Sequence, residues 1–159
     1  LPILREGALV ENNENPNLFY RGTEIKFERS SLVLMESLFF KADAHKEILL
    51  DHYKHPRKHG VIGNSTFERT EHNPLCGDLV KISGIVECDV LIQVAFIGKG
   101  CVISQATASI LLEKYAGSRV DDILKITPQF VLEQIQMELG PNRLKCALLP
   151  LLALQNGIK

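Results

Sequence analysis

Thiolates and carboxylates are the side chains that hold iron and zinc, and three of the four cysteines in this chain stand in contexts that favour such work. In Asn73-Pro74-Leu75-Cys76-Gly77-Asp78 a thiol and a carboxylate lie two residues apart. If the chain is extended there, both leave the same face, and Gly77 between them crowds nothing. In Gly98-Lys99-Gly100-Cys101-Val102-Ile103-Ser104 two glycines let the backbone turn out of a strand. Cys101 then stands at or just before a helix start, where the helix dipole favours a thiolate. In Arg143-Leu144-Lys145-Cys146 two cations flank a thiol near another helix N-terminus. Cys76, Asp78, Cys101 and Cys146 therefore make a four-ligand set, with Arg143 and Lys145 in a supporting electrostatic role.

Each motif also has a plain structural reading: a turn before a strand, a glycine-rich strand exit, a helix with one buried thiol and two solvated cations. The gaps of 25 and 45 residues between Cys76, Cys101 and Cys146 match no zinc finger or ribbon. The glycine loop at 98–104 lacks the spacing of a phosphate-binding loop. Cys88 falls in an expected hairpin turn with none of these features. His52, His55 and His59 imitate a metal face, but Pro56 breaks the helix between them, and His72 merely neighbours the first motif.

The elements that must position these groups follow from periodicity and punctuation. Ala44, Ile48, Leu49 and His52 or Tyr53 predict an amphipathic helix from Ala42 to about Tyr53, stopped by Pro56. Leu79–Val86 and Val90–Ile97, rich in β-branched residues either side of Glu87-Cys88-Asp89, predict a β-hairpin. Ser104–Ala116 predicts a helix closed by Gly117. Thr127-Pro128 opens another, whose apolar face runs through Val131, Leu132, Ile135 and Leu139 to Gly140-Pro141. A last helix starts near Asn142, and Pro150 is expected to bend or interrupt it. In the first 40 residues, the polar run Glu11–Asn17 reads as a turn or loop and Leu32–Phe40 as an apolar cluster. Strands followed by helices give the α+β class.

Composition narrows the function classes. The chain has 159 residues, 45% hydrophobic and 23% charged, which suits a globular domain with a real core. Eighteen basic against nineteen acidic residues leave a net charge of −1, so no basic field exists for nucleic acid. No apolar run reaches spanning length, so no membrane partner is expected. The N-terminal residues carry neither a basic region leading into an apolar stretch nor the acid-poor composition of a transit peptide. Four cysteines without a secretory pattern imply a reducing compartment, the cytoplasm, with thiols free for metal or sulfur chemistry.

Taken together, Asn-Pro-Leu-Cys-Gly-Asp at 73–78, Gly-Lys-Gly-Cys-Val-Ile-Ser-Gln-Ala-Thr-Ala-Ser at 98–109 and Arg-Leu-Lys-Cys at 143–146 resemble the IscU/SufU/NifU N-terminal family. Ile48-Leu49-Leu50-Asp51-His52-Tyr53-Lys54-His55-Pro56-Arg57 is similar to that family's opening helix and its exit. The resemblance covers roughly residues 45–158, within a domain placed at 41–159, and leaves 1–40 as an N-terminal extension of unknown role. It implies a small antiparallel β-sheet, including the 79–97 hairpin, covered on one side by helices. It also implies that Cys76, Asp78, Cys101 and Cys146 fall on cluster- and metal-binding positions. Two features depart from the IscU branch: Lys145 stands where that branch carries a histidine, and Leu139-Gly140-Pro141-Asn142-Arg143 replaces its chaperone-recognition segment. Both look like the SufU branch, yet the short spacing from Cys101 to Cys146 lacks that branch's insertion.

The function the resemblance implies is an iron–sulfur cluster assembly scaffold. It would take sulfur from a cysteine desulfurase and iron from an iron donor, build a transient 2Fe–2S cluster, and pass it to apo-protein acceptors. The alternative is a zinc-dependent sulfur transferase, with Cys76 or Cys146 accepting a persulfide. A third reading is a zinc-stabilised interaction module without sulfur chemistry.

Overall fold

The computed structural model describes residues 44–159 in full and, within the first 43, the backbone of three strands. The chain divides into two units, Leu1–Lys41 and Ala42–Lys159, each taken by itself. In the first unit, β1 (Val10–Asn12), β2 (Asn15–Tyr20) and β3 (Thr23–Ile25) form an antiparallel sheet in that order. The polar run expected as a loop thus lies largely in strands. The ladder slips between Glu11 and Asn12, passing from the Glu11–Leu18 pair to the Asn12–Asn15 pair. Pro16, which has no N–H to give, falls in the slip and costs no ladder bond. Leu32–Phe40 lies outside the described residues.

The second unit opens with α1, over 44–54. Strands β4 (Phe67–Asn73), β5 (Asp78–Glu87) and β6 (Val90–Lys99) then form an antiparallel meander with β5 in the centre. The expected hairpin is β5–β6: Glu87 pairs with Val90, and the two turn residues Cys88 and Asp89 have φ of 49° and 61°. Both central residues at positive φ is the turn whose twist matches that of paired strands. Strand β4 has no counterpart in the periodicity, because Phe67-Glu68-Arg69-Thr70-Glu71-His72-Asn73 is polar and mostly exposed along one sheet edge.

Helices α2 (Val102–Tyr115), α3 (Val120–Leu124), α4 (Pro128–Ile135) and α5 (Pro141–Ile158) follow the sheet. The class is α+β, a three-stranded antiparallel sheet with helices. Val80 and Ile82 of β5 and Leu91 and Phe96 of β6 are buried against Leu112, Ile135 and Leu154 of the helices in one apolar core. Phe67 lies over Gly84 and Gly157, where a Cβ would come within 2.6 and 2.8 Å of its ring. Those two glycines let β4, β5 and α5 close together.

Local signals set some helix ends and are overruled at others. Thr127 caps α4 through its hydroxyl, which accepts the Phe130 N–H at 3.2 Å. Gly117 follows the end of α2 at φ 86°. Helix α4, however, ends at Ile135, with Gln136 in the left-handed conformation at φ 46°, and does not reach Leu139. Gly140 and Pro141 instead open α5. Pro150 does not interrupt α5. It is fully buried, and the helix is held by tertiary burial of Cys146, Ala147, Leu149, Leu151, Ala153 and Leu154. That packing outweighs a penalty of about 3 kcal/mol for an interior proline. On α1, Leu49 and His52 face inward, whereas Ile48 and Tyr53 are exposed.

His52 ties α1 to α2. Its Nδ1 lies 2.8 Å from Ser109 Oγ, and that oxygen also accepts the Arg57 N–H at 2.8 Å. The Ser109 O–H is then left to donate to a neutral imidazole, whose Nε2 faces Glu113 at 3.7 Å. Burial, and then the Arg57 charge, hold the His52 pKa below its ordinary value of 6.5, against the pull of Glu113 and Asp51. The folded imidazole takes a proton less readily than the unfolded one. Its contribution is therefore present above the unfolded pKa and lost as pH falls through the folded one. Urea unfolding at about pH 7.5 and about pH 5.5 should show a fall in midpoint for the wild type and a smaller fall for His52→Asn. Equal falls would assign the slope to other groups.

Candidate metal centre

Asp78 is the first residue of β5 and is only 2% exposed. Five residues before it, Asn73 ends β4, and the turn between is closed by the Gly77 N–H donating to the Asn73 carbonyl at 2.9 Å. Cys76 stands on that turn, exposed, beside Gly77 at φ 71°. The antiparallel register sets Leu79 opposite Lys99, so the exit of β6 lies next to the start of β5. Cys101 follows at once as the N-cap of α2, where its sulfur accepts the Ser104 N–H at 3.5 Å. Cys146 lies in the second turn of α5, fully buried.

These placements bring Asp78, Cys101 and Cys146 together, with one donor atom from each within 4.8 Å of the others. The Asp78 Oδ1 accepts the Cys101 N–H at 3.1 Å. Its Oδ2 is buried with no hydrogen-bond partner among the described residues. A buried carboxylate oxygen without a partner is costly unless a cation or proton completes it. Two thiols and one unsatisfied carboxylate fit zinc or iron by donor chemistry.

Burial pushes the Asp78 carboxyl upward, but the Cys146 and Cys101 thiols, the Cys101 N–H and the Ser104 hydroxyl outweigh it, and its pKa is lowered. The thiols are weak donors that bias the charge without satisfying Oδ2. Cys146 moves the opposite way: burial, then Asp78, push its thiol far upward, with Cys76 and Cys101 adding to the rise and Asn73 opposing it. Without a metal, the negative charge therefore sits on Asp78 and the proton on Cys146. A metal entering the site must displace that proton.

Gly100 makes the carboxylate's position possible. A Cβ there would lie 2.6 Å from Asp78 Cγ, 2.7 Å from Oδ1 and 2.9 Å from Ser104 Oγ. Beside the site, a cavity of about 400 Å³ is lined by Leu49, Leu50, Cys101, Val102, Met137 and Arg143. It gives the partly buried Cys101 a path to solvent.

Two sequence expectations change. The segment carrying Cys76 and Asp78 is a turn, with Gly77 at positive φ, so their side chains do not leave one extended face. Cys76 is exposed and stands outside the cluster of three, though close enough to influence the Cys146 thiol. Arg143 and Lys145 are exposed, and burial at Cys146 outweighs whatever thiolate stabilisation these flanking cations supply. Cys88 is exposed in the β5–β6 turn. His52 is part of the α1–α2 latch, His59 packs edge-on against Phe96, and His55 and His72 are outside the cluster. Asn73 and Gly100 are the contributors that motif reading passed over.

The comparisons fall on the same region. The model of the NifU-like N-terminal domain matches residues 44–159. The chain belongs to that family. Among curated relatives, the zinc-dependent sulfurtransferase SufU of Bacillus subtilis is 30% identical over 132 residues, covering 72% of this chain and 88% of its own. The iron–sulfur cluster assembly scaffold protein IscU of Streptococcus pyogenes is 29% identical over 130 residues, covering 70% and 80%. A solved structure of a proposed cluster assembly scaffold protein for the SUF system, from Fervidobacterium islandicum, aligns with a TM-score of 0.60. It is 28% identical and covers 71% of this chain and 95% of its own. The NifU-like unit here thus spans the matched region, and the cluster of Asp78, Cys101 and Cys146 lies inside it.

Because only a hydrogen fits against Asp78 at residue 100, Gly100→Ala should drive the carboxylate out of the cluster. We expect zinc affinity to fall about tenfold, the scale of a 1–3 kcal/mol overpacking penalty, measured by competition with a chelator. Unchanged affinity at unchanged helical content would separate Asp78 from metal binding. Zinc uptake should also release protons and tighten as pH rises, because the Cys146 proton must leave. Calorimetry in buffers of different ionisation enthalpy would detect the release.

Proposed function

We propose that this protein is an iron–sulfur cluster assembly scaffold. It receives sulfur from a cysteine desulfurase and iron from an iron donor, holds a 2Fe–2S cluster transiently on Cys76, Asp78, Cys101 and Cys146, and passes it to apo-protein acceptors. The observation that carries this reading is the grouping of two thiols and the Asp78 carboxylate, one donor atom from each within 4.8 Å of the others, with Oδ2 buried and partnerless, in a chain of the NifU-like family. Thiolates suit iron, and one oxygen donor among sulfurs leaves a labile position from which cargo can depart. Free thiols and sulfur relay suit the reducing cytoplasm.

Cys76 is the residue we assign to sulfur entry, because it is the exposed thiol beside the cluster. Its thiolate would attack the outer sulfur of the desulfurase persulfide. The sulfur–sulfur bond of the donor breaks, the desulfurase thiolate leaves, and Cys76 carries the persulfide. Cys146, buried behind it, is the second acceptor candidate, with Arg143 and Lys145 supplying positive charge at the start of α5.

A second reading, zinc-dependent sulfur transfer, is favoured by the 30% identity to a sulfurtransferase of that type. There zinc would be held by Asp78, Cys101 and Cys146 and would keep the thiolates deprotonated, while Cys76 carries sulfur. Anaerobic reconstitution with desulfurase, cysteine and iron, together with metal analysis of the protein as isolated, separates the two. The scaffold reading expects the absorption of a 2Fe–2S cluster that transfers to an acceptor. Stoichiometric zinc with persulfide uptake and no cluster would overturn it in favour of transfer.

In the scaffold, Asp78→Ala should slow cluster transfer to an acceptor by about tenfold, a barrier change of about 1.4 kcal/mol. Faster transfer than wild type would contradict the labile-ligand argument. Neutralising Arg143 and Lys145 together to Ala should slow persulfide formation near neutral pH several-fold, at equal metal content. Unchanged rates would leave both residues as the solvated first turn of α5.

A further inference from the structure

Asn73 has a position unlike that of any other polar residue around the site. It ends β4, stands opposite Asp78 across the ladder, and is only 4% exposed. A buried carboxamide must satisfy one carbonyl oxygen and two N–H donors. Its Oδ1 accepts the Leu75 N–H at 3.2 Å, and its backbone carbonyl accepts the Gly77 N–H at 2.9 Å. These bonds shape the turn that carries Cys76. Its Nδ2 donates to Cys146 Sγ at 3.3 Å, across 73 residues of chain.

The amide orientation is set by its neighbours. The Leu75 N–H can only donate, so the oxygen must face it and the NH2 must face the sulfur. A side chain serving the turn alone needs only an acceptor, which Asp or Ser would also supply. The bond to sulfur needs a donor at the reach of Nδ2; Asp has none when ionised, and the Ser O–H stands one bond closer to the backbone, so only Asn serves both ends at this length.

We infer that Asn73 is a positioning residue that clamps two of the site's three sulfurs, those of Cys76 and Cys146, with one side chain. Its oxygen holds the turn bearing Cys76, and its N–H orients the Cys146 sulfur and draws electron density from it when that sulfur binds metal. The inference rests on the proposed reading of Cys146 as a metal ligand. An N–H aimed at a ligating thiolate reduces what the sulfur gives to the metal, the way surrounding hydrogen bonds tune a metal site.

The test uses cobalt(II) in the full chain, read through the thiolate-to-cobalt charge-transfer absorption. Asn73→Asp keeps the size and the acceptor, Asn73→Ser keeps a smaller acceptor without charge, and Asn73→Ala keeps neither. In both the Asp and Ser variants the charge-transfer band should move to lower energy, because the sulfur recovers the density the N–H withdrew. Thermal melting of the metal-free protein should stay near wild type in Asn73→Ser, whereas Asn73→Asp, which sets a second buried carboxylate opposite Asp78, should melt lower. Iodoacetamide labelling of Cys76 should match wild type in Asp and Ser and change several-fold only in Ala, where the turn loses its acceptor. A band at wild-type energy in the Asp and Ser variants would overturn the inference while leaving the ligand reading intact. Absence of any thiolate–cobalt band in the wild type would overturn the ligand reading itself, and the inference with it.

Discussion

A carboxylate buried at the junction of the β5 start and the α2 N-terminus is the constraint on which the site depends. Asp78 is almost fully enclosed, and burying a charge is expensive unless hydrogen bonds or a cation repay it. Part of that repayment is local, from the Cys101 N–H to Oδ1. The remainder falls to Oδ2, which has no partner among the described residues. The groups near it accommodate this carboxylate: Gly100 withdraws its side chain, the Ser104 hydroxyl favours its charged form, and two thiols flank it.

Holding the carboxylate there is the work of the sheet. The β5–β6 register brings the exit of β6 beside the first residues of β5, and only Gly100 separates β6 from the N-cap of α2, so the Cys101 thiol arrives at the carboxylate. Helix α5 must then lie along β4 and β5 to deliver Cys146 from the other side. The glycines under Phe67 permit that close packing. Stability of the core and geometry of the site are therefore one problem, because Val80 and Ile82 of β5, Phe96 of β6, and Ala147 and Leu154 of α5 share one core and so hold together elements that carry the site.

The three sulfurs in and beside the cluster differ in exposure. Cys146 is buried and protonated in the metal-free protein, Cys101 reaches a cavity, and Cys76 is exposed on a turn. One sulfur is thus open to solvent while the other two are progressively more enclosed. The shift of Asp78 downward and Cys146 upward follows from proximity: two acidic groups sharing one enclosure keep one charge between them.

Residue type and local spacing were enough to determine much of this protein. The cysteine motifs at 73–78, 98–104 and 143–146, the β5–β6 hairpin, the Cys101 N-cap and the Thr127 cap are all short-range features, and short-range chemistry is written in adjacent residues. Tertiary structure decided the rest. Strand β4 is too polar to announce itself and exists because β5 pairs with it and α5 covers it. Helix α5 runs through Pro150 because core burial outweighs one missing hydrogen bond. The separation of Cys76 from the cluster, and the reach of Asn73 to Cys146, depend on a positive φ at Gly77 and on contacts across 73 residues. Sequence spacing carries no information about such contacts, since side-chain direction at a turn and packing between distant elements are settled only when the core closes.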